Sequence, residues 1–466
     1  MLWFKERKRV MFKTITAIST PRGEGAIGIV RISGSDAFDI LEKIFVSKSP
    51  NKQVKGLKHF SLNYGYIYDS EVLIDEVLVA IMKKPNTFTK ENMVEIQCHG
   101  GFLVTQKILE VTIKYGAILA EPGEFTKRAF LNGRITLEQA ESVMDLIHST
   151  SERAMSNSIS TLQGKLSERI SEIKTKLVDV ISHVNVVIDY PEEGIDEPLP
   201  SNLYDNLNSA KDSIESLLAT YQKGKKIKEG IKTAIIGKPN VGKSSILNAL
   251  LKEERAIVTH IAGTTRDIIE EVINIHGIPL KLIDTAGIRE TEDLVEQMGI
   301  DKSMQALESA DLILFVVDLS REFEADERAL LESLDVSKTI IVMNKSDLEQ
   351  KFDRSLIEST FKKVTISAIA EDGLEELEKI IYELILQEKI EAKMDEILID
   401  NIRHKTALEK SLLGVNQVQE TIENGFPLDL IAIDLKDAID GLSEITGEIT
   451  NEDILDNIFK KFCVGK

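Results

Sequence analysis

The chain has 466 residues, a formal net charge of −20 and only two cysteines. That length holds about three domains at roughly 150 residues each, and the acidity argues against broad, sequence-independent nucleic-acid binding. Cys98 and Cys463 are too far apart in sequence to give a disulfide framework or a metal-ligand spacing. No apolar run reaches membrane-spanning length, and the basic start lacks the apolar stretch of a secretory signal, so a cytoplasmic, reducing compartment is expected. Residues 1–130 carry a net +5 and the remainder −25, so a polyanionic partner is expected at the first third or at local patches.

Residues 1–12 are read as an extension, with Met1 and Met11 both open as the start. From there to residue 130 the pattern is α+β. Pro21-Arg22-Gly23-Glu24-Gly25 reads as a tight turn into a strand over 27–32, followed by a helix over 36–45. Strands are expected over 60–68, 72–82 and 93–97, the last closed by Cys98-His99-Gly100-Gly101, with a helix over 103–115. His99 is read as structural.

Helical signals then take over. A stretch opened by Glu121-Pro122-Gly123-Glu124 breaks at Asn132-Gly133. Leu162, Leu166, Ile170, Ile173, Leu177, Val180, Val184 and Val187 recur at three- and four-residue steps, as do Leu203, Leu207, Ala210, Ile214 and Leu217, on either side of an acidic, Pro-rich connector over 189–202. The same period resumes near residue 390 through Ile402, Leu408, Leu412, Val415, Val418 and Ile422. A helical domain in two halves, 131–225 and 389–466, is therefore expected around an insertion over 226–388, entered through a linker at 223–230.

The insertion alternates strand and helix, as a doubly wound parallel sheet does, with strands over 231–236, 268–275, 280–283, 312–317, 339–343 and 364–366. Gly237-Lys238-Pro239-Asn240-Val241-Gly242-Lys243-Ser244 fits the phosphate-loop pattern G-x-x-x-x-G-K-[ST]. Backbone N–H groups converge there on phosphates, Lys243 neutralises the β and γ groups, and Ser244 at the helix start is placed to ligate Mg²⁺. Asp284-Thr285-Ala286-Gly287 reads as the sensor of the third phosphate, and Thr264 and Thr265 in Gly263-Thr264-Thr265-Arg266-Asp267 offer a metal-ligating threonine. In Asn344-Lys345-Ser346-Asp347 a carboxylate can accept from both N1–H and the exocyclic amine of guanine, which adenine cannot supply, and Ser367-Ala368 can support O6. These elements in this order read as a GTPase. Ile288 stands where a water-positioning glutamine is ordinarily found, so the catalytic group must come from elsewhere in 289–299.

The chain resembles the MnmE (TrmE) family of tRNA-modification GTPases along essentially its whole length. The resemblance is carried by TPRGEGAIGIVRISG, VEIQCHGG, EPGEFTKRAFLNGR with LEQAESVMDLI, the inserted GTPase motifs and the terminal IFKKFCVGK. It implies three parts: a tetrahydrofolate-binding N-terminal domain over 13–130 that makes a homodimer, a discontinuous α-helical bundle, and an inserted Ras-like α/β G domain of the P-loop NTPase type. It sets the GTP-binding positions at Asn240, Val241, Gly242, Lys243, Ser244, Ser245, Thr259, His260, Ile261, Ala262, Gly263, Thr264, Thr265, Asp284, Thr285, Ala286, Gly287, Asn344, Lys345, Ser346, Asp347, Ser367 and Ala368. K⁺ would be held by Asn240, Thr259, Ile261 and Thr264, and Mg²⁺ by Ser244 and Thr265, with Glu296 orienting the attacking water. Folate, as the 5,10-methylene or 5-formyl form, would meet Arg31, Glu95, Arg134 and Lys466, where Arg134 replaces a lysine found in some relatives. Cys463 stays open between a nucleophile and a buried thiol. The implied activity couples GTP hydrolysis, with the flavoprotein MnmG in a heterotetramer, to placing a carboxymethylaminomethyl or similar aminomethyl-type group on carbon 5 of the tRNA wobble uridine. The alternative is an Era-type ribosome-assembly GTPase that binds RNA without one-carbon chemistry; it would want a basic appendage, whereas the C-terminal half is acidic.

Overall fold

The structure is a computed structural model that describes residues 13–21, 23–48, 53–190, 201–253, 272–283, 309–386 and 396–465. The chain divides into two compact units: residues up to Met144 with those from Ser443 onward, and residues 145–442.

In the first unit, strands β1 (Ile15–Ile18), β2 (Gly25–Ser33), β3 (Phe45–Ser47), β4 (Ser61–Asp69), β5 (Val72–Met82), β6 (Met93–Gly100) and β7 (Ile118–Leu119) form one sheet in the order β3-β4-β5-β6-β2-β1-β7. Alternation along the strands separates two faces. Val30, Ile32, Ile67, Val77, Val79, Ile81, Val94 and Ile96 are buried in one core with residues of α1 (Ala37–Ile44) and α2 (Phe102–Lys114). The other face carries Arg31, Glu95, Leu62, Tyr64 and Leu78, as the pairings Arg31↔Glu95, Ala80↔Glu95, Leu62↔Ala80 and Tyr64↔Leu78 require. Helices α3 (Glu124–Leu131) and the start of α4 (Leu137–His148) follow, and Phe130, Leu137, Ala140 and Met144 pack with Leu455, Phe459 and Phe462 from α14 (Glu452–Phe459) and the tail beyond it. The Arg128 guanidinium, 2% exposed, pins α3 by pairing with Glu91 and Glu124 and donating to the Lys13 carbonyl. Buried charge is tolerated only with such saturation.

In the second unit the expected stripes build helices α5 (Glu152–Leu162), α6 (Lys165–Asp189), α7 (Ser201–Ala219) and α12 (Ile402–Glu423). Leu166, Ile170, Ile173, Leu177, Val180 and Val184 are buried on α6, and Leu207, Ala210 and Ile214 on α7. Ile402 departs from its expected role and is 60% exposed. On α12 the inward positions are partly small ones instead, because α13 (Leu428–Thr446) approaches closely: a Cβ on Gly414 would lie 2.8 Å from the Asp434 carbonyl oxygen.

The supposed linker at 223–230 is helical, as α8 (Tyr221–Glu229). Its buried face is Tyr221, Gly224 and Ile227, and any side chain at Gly224 would strike the Ile399 carbonyl. Lys228 lies between Asp145 and Asp400; burial lowers its pKa but the two carboxylates outweigh it, so the net shift is upward.

The insertion holds β8 (Ile231–Ile236), α9 (Lys243–Glu253), β9 (Val272–Ile275), β10 (Ile278–Leu282), β11 (Leu312–Asp318), α10 (Ala325–Glu332), β12 (Thr339–Asn344), β13 (Lys362–Thr365) and α11 (Leu374–Leu386). The sheet order is β13-β12-β11-β8-β10-β9. All pairs are parallel but one: edge strand β9 runs antiparallel to β10, a local exception to the parallel pattern expected of the insertion. The cause is the two-residue tip His276-Gly277, both at positive φ, which closes a hairpin where a parallel strand would need a crossover. Leu314 and Val316 of β11 enter one core and Ile313, Phe315 and Val317 the other, which is why this strand reads as a continuous apolar run. The hairpin tip meets the helical part: a Cβ on Gly277 would lie 2.6 Å from Arg153 Cγ, and Arg153 Nη1 donates to the Tyr382 hydroxyl at 2.8 Å.

Candidate functional site

Four parallel strands deliver their carboxyl ends to one edge of the second sheet, the place where such sheets bind ligands. β8 runs into the phosphate loop, β11 ends at Asp318, β12 at Asn344, and β13 precedes Ser367. In the loop, Asn240 has φ 65° and Gly242 φ 98°. A Cβ at Gly242 would collide with Asn344 Nδ2, so only glycine lets the loop lie against the Asn344-Lys345-Ser346-Asp347 turn. Lys243 Nζ donates to the carbonyls of Gly237 and Lys238, both at 2.8 Å, and burial lowers its pKa. Ser244 and Ser245 stand in the first turn of α9, whose helix dipole favours an anion.

Asn344 knits the site together. It is 2% exposed; its Nδ2 donates to the Val241 carbonyl at 2.8 Å and its Oδ1 accepts from the Ala368 amide at 3.1 Å. Ser367 Oγ donates to Asp347 Oδ1 at 2.6 Å, and Ser346 N donates to the Ile366 carbonyl. The phosphate-loop segment, the Asn344-Lys345-Ser346-Asp347 turn and Ser367-Ala368 thus form one hydrogen-bonded assembly, at whose surface Asn240, Ser244 and Asp347 are exposed. The close approach at Gly242 and the first turn of α9 suit a phosphate chain, and the exposed Asp347 carboxylate suits guanine.

Asp318 and its ion pair with Lys345, Nζ to Oδ2 2.7 Å, lie outside the motifs visible in the sequence. An aspartate at the carboxyl end of a buried strand was the available signal. Thr259, His260, Ile261, Ala262, Gly263, Thr264, Thr265, Asp284, Thr285, Ala286, Gly287 and Glu296 lie outside the described residues, as does Lys466.

A second constellation lies on the open face of the first sheet. Arg31 Nε donates to Glu95 Oε1 at 2.9 Å, its Nη1 donates to the Gly465 carbonyl at 3.0 Å, and its guanidinium sits 5.6 Å from the centre of the Phe125 ring. Ser19 Oγ also donates to Gly465 O, and a Cβ on Gly465 would strike the Ile18 carbonyl, so the end of the tail is held by β1 and β2 together. Arg134 stacks on Phe88 at 4.7 Å, beside a cavity of ≈ 380 Å³ whose walls include Phe60, Lys90 and Arg134 itself. Phe88 and Phe125 belong to one apolar cluster with Met93 and Ile15, which puts the two arginines on a common shelf. Two arginines against aromatic rings, one of them paired with a carboxylate, suit a ligand with a flat heterocycle and an acidic tail. His99 is exposed and paired with Asp75, Nδ1 to Oδ1 2.7 Å, which raises its pKa. Cys98 is buried and Cys463 exposed.

Among known families, that described as the GTP-binding protein TrmE N-terminus matches residues 14–134, and the MnmE helical domain matches residues 137–463. A protein named tRNA modification GTPase MnmE from Thermoanaerobacter pseudethanolicus is 50% identical over 462 residues, covering 98% of this chain and all of its own. Proteins of the same name from Acetivibrio thermocellus and Streptococcus gordonii are 48% and 45% identical, each over at least 97% of this chain and 99% of their own.

Proposed function

Because the chain belongs to the MnmE (TrmE) family of tRNA modification GTPases, we propose that it couples a K⁺- and Mg²⁺-dependent cycle of GTP hydrolysis to one-carbon chemistry on the tRNA wobble uridine. The observation that carries the GTPase reading is the Asn344-centred assembly, which joins a phosphate loop to a carboxylate suited to guanine. Asn240, exposed on that loop at positive φ, offers its side-chain oxygen to K⁺ with Thr259, Ile261 and Thr264, while Ser244 and Thr265 take Mg²⁺. Glu296 orients the attacking water, a role the apolar Ile288 has no group for.

Arg31, Glu95, Arg134 and Lys466 form the site for methylene- or formyl-tetrahydrofolate. The docking of Gly465 against Arg31 supports this reading, since it brings the tail beside the Arg31–Glu95 pair. The chain works as a homodimer: Leu62, Tyr64, Leu78 and Val46 are exposed on the sheet face that bears this site, an apolar surface that a second copy would cover. MnmG supplies the flavin, and the product carries a carboxymethylaminomethyl or similar aminomethyl-type group at carbon 5. Among the described residues no helix is long and apolar enough to cross a membrane, and we place the cycle in the cytoplasm. Nucleoside mass spectrometry of tRNA from cells with and without the gene tests the whole reading. Loss of the modified wobble uridine is expected; an unchanged nucleoside profile overturns it.

A further inference from the structure

Asp318 closes β11 and belongs to none of the segments assigned above to nucleotide contact. Its carboxylate is buried and every acceptor direction in use is accounted for. Oδ1 accepts from Ser320 N at 2.9 Å and Ser320 Oγ at 2.6 Å, and Oδ2 accepts from Lys345 Nζ at 2.7 Å. Burial alone would raise its pKa, but the Lys345 ammonium and the Ser320 hydroxyl and amide outweigh it and the net shift is downward, so the group is charged at neutral pH. Its backbone is tied to the same place: Asp318 is the register partner of Asn344, and Leu319 N donates to Asn344 O at 3.0 Å.

Lys345 stands at φ 65°, a left-handed conformation that a lysine rarely adopts and that must be held by its surroundings. The residue is the pivot of the base-recognition turn: Asn344 precedes it, Leu348 N donates to its carbonyl, and Asp347 lies two residues on. We propose that Asp318 is a positioning residue for guanine recognition, which acts by anchoring the Lys345 ammonium and so fixing the turn that presents Asp347. Two side chains, one at the end of β11 and one in the loop beyond β13, then orient the recognition turn, Asp318 at Lys345 and Ser367 at Asp347. The inference rests on the reading of Asp347 as the guanine-binding carboxylate.

Asp318→Asn tests it in the full-length protein, because the amide keeps an acceptor for Ser320 and removes the charge that holds Lys345. With fluorescent GDP and inosine diphosphate as probes, GDP affinity should fall about tenfold, mainly through faster release. The preference for GDP over inosine diphosphate, which lacks only the exocyclic amine, should narrow, with kcat at saturating GTP within about twofold of the parent. In a Lys345→Met background the same substitution should add nothing further. A lowered melting temperature with unchanged GDP affinity and selectivity, or an additive effect in the double variant, overturns the proposal. If the Asn variant does not fold, Asp318→Ser is read by the same criteria, and Ser320→Ala, which spares the Lys345 pair, should keep parental selectivity. Retained guanine preference in Asp347→Asn would instead defeat the underlying base-site reading, whatever Asp318 does.

Discussion

Ser367 Oγ donates to Asp347 Oδ1 at 2.6 Å, and Ser367 Oγ in turn accepts from the Ala370 amide at 3.2 Å. The carboxylate is therefore oriented by a hydroxyl that is itself held by its own loop. Asp347→Asn exchanges an acceptor for a donor at the group facing the exocyclic position of the base. Competition binding should show preference moving from GTP toward xanthosine triphosphate, and unchanged GTP preference would remove Asp347 from the site.

Gly242→Ala should nearly abolish nucleotide binding without unfolding the protein. The added methyl meets Asn344 Nδ2, and φ 98° is unfavourable for any L side chain. Because Asn344 also bridges to Val241 and Ala368, relief of the clash must break the assembly. Equilibrium binding of fluorescent GDP should weaken by more than about 100-fold; near-parental affinity would show that the loop has slack there.

Hydrolysis should fall when K⁺ is replaced by Na⁺ at constant ionic strength. Asn240→Gly is the informative variant, since glycine accepts φ 65° freely and removes the side-chain carboxamide, its oxygen included, without straining the loop. It should bind GTP yet lose the K⁺ response. Equal rates in the two salts for the parent protein would count against a K⁺ site.

Removing residues 462–466 should weaken binding of 5-formyl-tetrahydrofolate in calorimetry while GTP hydrolysis continues. The truncation deletes the Gly465 carbonyl that accepts from Arg31 and Ser19. Undiminished folate affinity would show that the tail plays no part in the pocket.

Thiol chemistry separates the two cysteines. Burial pushes the Cys98 thiol up to about 11, and its Sγ donates to the Gly28 carbonyl, whereas Cys463 is exposed. Since the thiolate is the reacting form, a disulfide reagent at neutral pH should modify one thiol in the native protein and two after denaturation. Two fast equivalents in the native state would contradict the burial of Cys98.

The phosphate-loop pattern and the Asn344-Lys345-Ser346-Asp347 turn are legible in sequence because each is a short, contiguous segment with a fixed spacing. Strands β11 and β12 of the insertion are legible for a related reason: they are buried on both faces and leave near-continuous apolar runs. Asp318 was not legible. Its partner lies 27 residues away, and only the parallel pairing of β11 with β12 brings the two together. Helix α8 has the sequence of a linker because its three inward positions, one of them glycine, are diluted among lysines. Strand β7, two residues long, has no periodicity to detect and exists through its pairing with β1. On the open face of the first sheet, Arg31 and Glu95 are marked in sequence by resemblance alone, and spacing does not fix their facing register, which depends on the sheet order.

The contact between Gly277 and Arg153 bears on how far the inserted domain is interchangeable. Tyr382 is 1% exposed and takes a hydrogen bond from Arg153, Lys226 Nζ donates to the Ile385 carbonyl, and the tip at Gly277 has no space for another atom beneath the arginine stem. A homologous GTPase module grafted between the two helical halves would need glycine at this tip and a hydroxyl-bearing ring on its last helix to seat. Conversely, a fragment excised from Ile231 to Leu386 would carry a bare tyrosine and an uncovered hairpin end, so its behaviour in isolation would describe a molecule with a different surface from the one the whole chain presents.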